Sequence, residues 1–321
     1  MSTAARVPET YLLTGDDARR TLMACGRWPL VRDAFTRFRA ADGFSHARSL
    51  AFMTSLVLVQ GLIVVVGLAA AFEAQGFSST IVGAIEDAVP GPASDVLTDA
   101  VEQAREVGQS NRFLPLLLGL AGVLVTGTTA MGQLERGLNR IYGIEKDRQT
   151  VQKYGRAFVL ALTAGLGLTV AFTLLAFGRS IRGELGNGVR DVWLVLQWPV
   201  ALLVAVAAVA MLFRKSPRRH QPAWSWLAFG AVVGVGLWAL ITIAFGLAFR
   251  VSDSFGDTYG PLAGIVALQL WTLFSAITIL FGGAIAAQLE AVRAGTPAPR
   301  DERLEAARAD PVPLGSAPAG S

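Results

Sequence analysis

Six long stretches without any Asp, Glu, Lys or Arg restrict this chain more than any other feature of its sequence. The hydrocarbon core of a bilayer is about 30 Å thick, and a helix that rises 1.5 Å per residue needs about 20 residues to cross it. Each stretch has 22 residues or more, so each is long enough to cross a membrane once. The stretches cover residues 49–72, 113–134, 157–178, 192–213, 221–249 and 258–289.

Apolar residues run continuously within these stretches and do not alternate with polar ones, as they would in the strands of a transmembrane barrel. Over the whole chain 53% of the residues are hydrophobic and only 16% are charged, which is too apolar for an ordinary soluble domain. The sequence therefore predicts an all-α, polytopic membrane protein with six transmembrane helices in a domain covering residues 49–290.

The distribution of Lys and Arg predicts the orientation. If the six helices follow one another across the membrane, 22 of the 28 basic residues lie on the side that holds both termini, and 6 lie on the other side. Lys and Arg are enriched in the cytoplasmic loops of membrane proteins. Both termini are therefore expected in the cytoplasm.

Three segments flank or interrupt the predicted helices. Residues 1–48 form an N-terminal cytoplasmic amphipathic segment, without the apolar core of a cleavable signal peptide. Residues 73–112 form a long external loop, which Pro90, Gly91 and Pro92 divide into two short helical stretches that would make a small cap. Residues 291–321 are first charged and then rich in Pro, Gly, Ala and Ser, a pattern that predicts a disordered cytoplasmic tail.

The N-terminal segment contains one amphipathic stretch, residues 16–42, in which arginines separate the apolar side chains. Two interpretations are open. The stretch is typical of a helix in the headgroup layer of the cytoplasmic leaflet, and it is equally typical of a helix that packs on the cytoplasmic loops. The apolar residues at helical spacing are Leu22, Trp28, Val31, Phe35 and Phe38.

Ionisable residues are missing from the six stretches, which argues against an ion-coupled or proton-coupled carrier. The uncharged polar residues inside them include Gln60, Thr126, Thr128 and Gln269. Such groups most often bond neighbouring helices together, and the alternative is that they line a path for a polar substrate.

Two pairs of glycines four residues apart predict close contacts between helices, because a missing side chain lets two backbones approach. They are Gly230 with Gly234 and Gly260 with Gly264. The spacing is common, so the pairs predict contacts without naming the partner helix.

The end of the second predicted helix, GQLERGLNRIYGIEKDR (residues 132–148), changes abruptly from apolar to polar. Helical spacing places Thr128, Glu135, Asn139 and Tyr142 on one stripe. Glu135 lies about 30 Å along this helix and is therefore expected at the cytoplasmic interface.

Four residues of this segment have specific predicted roles. Gly143 is expected in the left-handed conformation that ends the helix. Asn139 is expected to bond open carbonyls or a neighbouring helix, and Tyr142 to place its hydroxyl in water at the headgroup level. Arg140 suits the negative end of the helix dipole.

No reactive set of residues is visible in the sequence. His46 and His220 both lie outside the six stretches, and Cys25 is the only cysteine, so neither a metal site nor an internal disulfide is predicted. P-loop and nucleophile-elbow motifs are also missing. We therefore expect no catalytic residue, metal, cofactor or nucleic-acid partner. The expected partners are membrane lipids, with another copy of the chain or envelope proteins as further candidates.

Three segments resemble the YihY/BrkB family of bacterial inner-membrane proteins: SLAF (49–52), LNRIYG (138–143) and YGPLAGIVALQLWTLFSAITILFGGAIAAQLE (259–290). The resemblance covers about residues 40–292. It implies six helices, cytoplasmic termini, a place in the bacterial cytoplasmic membrane and a transporter-like or envelope-related role. Some members are labelled ribonuclease BN, a function that the residues here do not support. The matching positions are Asn139, Arg140, Tyr142, Gly143, Tyr259, Gly260, Trp271, Gly283 and Ala284.

Two positions depart from the family pattern. Gln60 replaces a common Pro, and Ile285 replaces a common Glu, so the last helix lacks the charged residue expected there. The leading functional hypothesis is a permease-like protein that moves a lipid or another amphipathic envelope component. The alternatives are a non-transporting scaffold for envelope machinery and, more distantly, a ribonuclease.

Overall fold

The computed structural model describes residues 3–71, 77–110, 113–145, 155–156, 158–160, 163, 187–251 and 262–300 of the chain. These residues form helices and the turns that join them, with no strand among them, so the all-α prediction is confirmed. The helices are α1 (Gly15–Cys25), α2 (Arg27–Ala40), α3 (Gly43–Ala71), α4 (Phe77–Ala88), α5 (Pro92–Ser110), α6 (Leu114–Ile141), α7 (Asn187–Lys215), α8 (Trp224–Val251) and α9 (Ala263–Arg293).

Within the described part of the chain, five helices are long and apolar enough to cross a membrane, and each overlaps one predicted stretch. The remaining predicted stretch, 157–178, lies almost wholly outside the described residues. The crossing segments are Gly43–Leu68, Leu114–Ile141, Leu196–Lys215, Trp224–Phe249 and Ala263–Arg293.

The amphipathic stretch 16–42 is not one helix. Gly26 has φ +81°, a conformation that favours glycine, and it separates α1 from α2. Thr14 is the N-cap of α1. Its backbone N–H donates to the Asp17 carboxylate at 3.0 Å, which stabilises the first turn. The predicted break at Pro90–Pro92 is also present, since α4 ends at Ala88 and α5 begins at Pro92.

Helix α9 lies at the centre of the packing and contacts α8, α3, α5 and α2, while α3 runs along α6. The contact between α8 and α9 is close because a Cβ atom at Gly230 would lie 2.5 Å from the carbonyl oxygen of Gly282. The predicted role of Gly230 is therefore confirmed. The prediction also holds for Gly264, where an added Cβ would lie 2.6 Å from a Val96 methyl group of α5. Gly260 lies outside the described residues.

The bundle has two different ends. The cap end carries α4 and α5, whose buried residues such as Ile85 and Leu97 form one apolar cluster with Trp271. The polar end holds both described chain ends, because the Ala5 N–H donates to the Pro299 carbonyl at 3.1 Å. A second and larger apolar cluster lies at the polar end.

The structure describes the first residues of the segment for which the sequence predicts a disordered tail, 291–300. α9 continues to Arg293, and the Pro297 carbonyl accepts a hydrogen bond from the Gln288 amide at 2.7 Å. The N-terminal segment contacts this part of the chain through the bond from the Ala5 N–H to the Pro299 carbonyl. Residues 301–321 lie outside the described residues.

Candidate functional site

The LNRIYG segment ends α6 in a tight turn. Gly143 has φ +77°, so the predicted left-handed conformation is confirmed. The Ile144 N–H donates to the Asn139 carbonyl at 2.8 Å, and the Gly143 N–H donates to the Arg140 carbonyl at 3.2 Å. These two bonds form a Schellman motif, which satisfies carbonyls that a helix end otherwise leaves open.

Residues 3–14, which we call the N-terminal strap, cover this turn. The Ala4 N–H donates to the Arg140 carbonyl at 3.2 Å, and the Val7 N–H donates to the Tyr142 carbonyl at 3.1 Å. A Cβ atom at Gly143 would overlap the backbone of Arg6. The glycine is therefore required twice, by its own backbone conformation and by the strap that lies against it.

The side chains of the turn point into the protein. Asn139 is fully buried, and its Oδ1 accepts the Arg218 N–H at 2.8 Å. One partner of Asn139 is therefore the connection between α7 and α8, which the sequence-based prediction did not include. Arg140 donates to the Glu145 carbonyl at 2.7 Å, consistent with its place at a helix end.

The predicted position of Tyr142 needs correction. Tyr142 is only 1% exposed, so its hydroxyl does not anchor in water, and burial raises the pKa of this tyrosine. Glu135 is completely buried by protein, and its level at the cytoplasmic interface stays a prediction. The strap and Arg219 occupy the space around Tyr142 that the sequence-based prediction assigned to water and headgroups.

A buried ion pair lies next to Tyr142. The Arg219 guanidinium donates to the Glu290 carboxylate, and the two side chains are 2% and 0% exposed. Arg219 also lies over the Tyr142 ring, 4.7 Å from its centre, a favourable cation–π arrangement. The Thr10 hydroxyl of the strap donates to the same Glu290 oxygen. We call Thr10, Arg37, Tyr142, Arg219, Gln288 and Glu290 the polar-end cluster.

Arg37 of α2 completes the cluster. It is fully buried, donates to Gln288 Oε1 at 2.7 Å and donates to the carbonyls of Ala5 at 2.7 Å and Ile141 at 3.2 Å. Burial lowers its pKa to about 10, so it stays protonated at neutral pH. One arginine thus joins the strap, α2, α6 and α9.

Five members of the polar-end cluster were missed as site residues by the sequence analysis: Thr10, Arg37, Arg219, Gln288 and Glu290. Glu290 directly follows an apolar stretch of 32 residues, whereas a crossing needs about 20. That excess length was the available signal that the last helix continues past the bilayer into protein.

The two segments that resemble the family meet in space. Leu138 of the LNRIYG segment lies against Gly283, where an added Cβ would be 2.6 Å from a Leu138 methyl group. Ala284 is completely buried beside them. Small residues on α9 therefore let α6 approach closely. Tyr259 and Gly260 lie outside the described residues.

The predicted polar residues inside the spans do not converge on one point. The Thr126 hydroxyl of α6 donates to Gln60 Oε1 of α3, whereas the Gln269 amide of α9 donates to Ser55 Oγ of α3 at 2.9 Å. Thr128 donates to the Leu124 carbonyl of its own helix. Gln60 and Gln269 thus each join two helices.

Two tryptophans, Trp271 of α9 and Trp238 of α8, add further hydrogen bonds between these helices. Trp271 Nε1 donates to the Thr242 hydroxyl of α8, and Trp238 Nε1 donates to the Ser275 hydroxyl, both at 3.1 Å. Their ring centres are 6.5 Å apart. We call Ser55, Gln60, Thr126, Thr242, Gln269 and Ser275 the amide–hydroxyl band. All but Ser55 are partly accessible at the surface of the bundle.

Chemically, the two sets differ. The polar-end cluster carries the Arg219–Glu290 ion pair and the Arg37 charge, which neutral acceptors satisfy, and the amide–hydroxyl band carries no charge. Among the described residues, no group of three or more His, Cys, Asp or Glu side chains is placed to hold a metal ion.

Comparison with known proteins places the chain among membrane proteins. A family model described as virulence factor BrkB matches residues 34–307. YfkH of Bacillus subtilis, named as a ribonuclease-like protein, is 27% identical over 267 residues, which are 81% of this chain and 94% of that protein. No solved structure matches the chain.

Two proteobacterial relatives are UPF0761 membrane proteins. The one from Rhodospirillum rubrum is 29% identical over 264 residues, which are 80% of this chain and 58% of that protein. The one from Verminephrobacter eiseniae is 30% identical over 275 residues, which are 81% of this chain and 61% of that protein. The chain therefore spans about three fifths of the length of these two relatives.

Proposed function

Because the chain belongs to the BrkB family of multi-pass bacterial membrane proteins, we propose that it is a permease-like protein for a lipid or another amphipathic envelope component. Family membership alone names no substrate. The proposal rests on the chemistry of the spans and on the contrast between the two ends of the bundle.

The amphipathic class of substrate is supported by the amide–hydroxyl band. Its amides and hydroxyls donate and accept hydrogen bonds without carrying charge, and they are partly accessible between helices. A polar headgroup that crosses the bilayer loses its hydrogen bonds to water. Hydrogen bonds to the amides and hydroxyls of the band would replace those lost bonds. The acyl chains would remain in the surrounding lipid, next to exposed side chains such as Leu270.

The polar-end cluster supports a gate. Its buried ion pair and the strap close the bundle on the side of the described chain ends. The band lies in the half of the spans that is nearer the cap end, since Gln269 is only six residues from the start of α9. The described arrangement corresponds to a carrier closed at its polar end.

We also propose six crossings with both termini in the cytoplasm. α6 and α7 both end at the polar end. Arg140 of α6 donates to the Glu145 carbonyl just after that helix, and Asn139 of α6 accepts from the N–H of Arg218, which follows the end of α7 at Lys215. A chain that leaves this end and returns to it through α7 must cross once more in between. The apolar stretch 157–178 is long enough for that crossing.

Cys25 tests the orientation because it is the only thiol and is partly accessible. A membrane-impermeant maleimide should leave it unlabelled in intact cells and label it after lysis. Labelling in intact cells would place the polar end outside the cytoplasm.

The transport proposal is tested with purified protein in liposomes that contain a fluorescent phospholipid. A membrane-impermeant reductant bleaches only the outer leaflet unless the protein moves lipid between leaflets. We expect bleaching of the inner-leaflet label with the wild type, and slower bleaching with Gln60→Leu and Gln269→Leu in protein that still folds and inserts. Leu270→Ile, which changes a lipid-facing neighbour of Gln269, is the matched control and should behave as the wild type.

The scaffold alternative has one observation in its favour, since Gln60 and Gln269 already bond neighbouring helices. If they only join helices, both Leu variants should lower the melting temperature. A wild-type protein that leaves the inner-leaflet label intact would argue against lipid transport and for the scaffold. A ribonuclease is disfavoured because the band carries neither an acid nor a base.

A further inference from the structure

Helix α2 exposes large apolar side chains at the polar end of the bundle. Trp28 is 76% exposed, Val31 39% and Phe35 44%, and Phe44 at the start of α3 is 42% exposed. We call these four residues the interfacial patch. Exposed aromatic residues on one face of a helix mark a binding surface more often than an isolated exposed side chain does.

The opposite face of α2 is locked against the protein. Leu30, Ala34 and Phe38 are 3% exposed or less, and Arg37 bonds to Gln288 of α9. The helix cannot turn to hide its exposed side chains without breaking these contacts. The interfacial patch is therefore held outward by the fold.

The patch continues into the lipid-facing side of a transmembrane helix. The Phe44 ring lies 5.0 Å from that of Phe38 and 6.4 Å from that of Phe35, which joins α2 to the first turn of α3. Phe44, Arg48 and Phe52 follow at intervals of four residues on α3, and all three are exposed. Because α3 crosses the membrane, this stripe faces lipid, and Arg48 marks the level at which a long cationic side chain reaches the headgroups.

The charge around the patch selects the type of lipid. Residues 27–48 contain five arginines and two aspartates. Arg32 and Arg39 are exposed on α2 at the edge of the patch. Arg32 also forms an ion pair with Asp33, with 3.1 Å between Nε and the carboxylate oxygen. A helix with aromatic residues on one face and arginines at its edge binds membranes that carry negative headgroups.

From the locked orientation, the continuity with α3 and the excess of arginine, we infer that the interfacial patch binds the anionic phospholipid surface of the leaflet at the polar end. The aromatic side chains lie below the headgroups, and Arg32, Arg39 and Arg48 contact the phosphates. The sequence-based alternatives are then not exclusive, because one face of α2 packs on protein and the other on lipid. The inference holds for either orientation of the chain.

The test measures how close the patch lies to lipid. In a Cys25→Ser background, Trp28→Cys carries a bimane label in the full chain, reconstituted in nanodiscs. The discs contain phosphatidylcholine alone or phosphatidylcholine and phosphatidylglycerol in equal parts, with a lipid spin-labelled near its headgroup as quencher. Phe35→Cys replaces the first variant if Trp28→Cys does not fold.

Leu12→Cys is the matched control, because Leu12 is apolar and 89% exposed at the same end but lies on the strap. Quenching at residue 28 should be several-fold stronger than at residue 12 and should increase with phosphatidylglycerol. The pair Arg32→Gln and Arg39→Gln should remove that increase without changing the melting temperature. Quenching no stronger than at residue 12, or equal in both lipids, would overturn the inference.

Discussion

The two halves of α9 are similar in composition and different in environment. From Gly282 to Ala291 every residue is buried by protein. In the first half Ile265 is 51% exposed, and Leu270 and Phe274 are each 37% exposed. One helix thus meets lipid near the cap end and protein near the polar end, and hydropathy is high in both environments.

α6 repeats the contrast. Leu117, Leu118 and Val125 are more than 60% exposed, whereas Leu138 and Ile141 are completely buried beside Asn139. Lipid tails are as apolar as leucine, so association of helices there depends on close packing. At the polar end the strap and the connection between α7 and α8 exclude water, and charged side chains are retained only because each finds a partner.

The largest expected effect is on the ion pair of the polar end. Glu290→Gln leaves the Arg219 charge buried without its counter-charge, and loss of one partner of a buried pair costs about 3–5 kcal/mol in the free energy of unfolding. Thermal melting in detergent should show a large decrease. Glu106→Gln, an exposed position on α5 of the cap end, is the control and should leave the melting temperature unchanged.

The double variant Arg219→Leu with Glu290→Leu separates charge from packing. Because it removes both charges, it should be more stable than Glu290→Gln. A double variant less stable than the single one would mean that the pair acts through shape and not through charge compensation.

The next effect concerns the close approach of α8 and α9. Gly282→Ala places a Cβ 2.6 Å from the Gly230 carbonyl oxygen, and overpacking of this kind costs about 1–3 kcal/mol. Gly236→Ala on α8 meets no atom within 4 Å and should be neutral or slightly stabilising, as alanine is favoured over glycine inside a helix. Equal melting temperatures for the two variants would contradict the close approach.

The last comparison concerns two glycines that end helices at the polar end. Gly143 and Gly295 have φ of +77° and +72°, so alanine costs about 1–2 kcal/mol of backbone strain at each. A Cβ at residue 143 also overlaps the strap, whereas nothing lies within 4 Å at residue 295. Gly143→Ala should therefore melt at a lower temperature than Gly295→Ala, and proteolysis of the strap should be faster.

If both glycine variants lose the same stability, the strap does not press on the turn, and the contrast between the two ends is weaker than described. Faster proteolysis of the strap with Gly295→Ala alone would mean that the C-terminal segment holds the strap in place, through the bond between Ala5 and Pro299.

The predictable parts of this fold are local. The apolar stretches, the break before Pro92 and the left-handed Gly143 depend on residues within one or two helical turns of each other, and periodicity and backbone preference report such features. The burial of Tyr142 and Glu135 was not predictable in this way. Both residues come after the apolar stretch 113–134, where water and headgroups are the default neighbours. Tyr142 is covered instead by segments distant in sequence, the strap and Arg219.

The order of the spans and the polar character of one end follow from hydropathy and charge along the chain, because transfer into a bilayer depends on each segment's own composition. The polar-end cluster exists only in three dimensions. Arg219 and Glu290 are 71 residues apart, and Thr10 and Glu290 are 280 apart. No local pattern encodes such pairs. Packing decides that these charges are buried together, since burial is tolerated only where the fold brings an opposite charge within hydrogen-bonding distance.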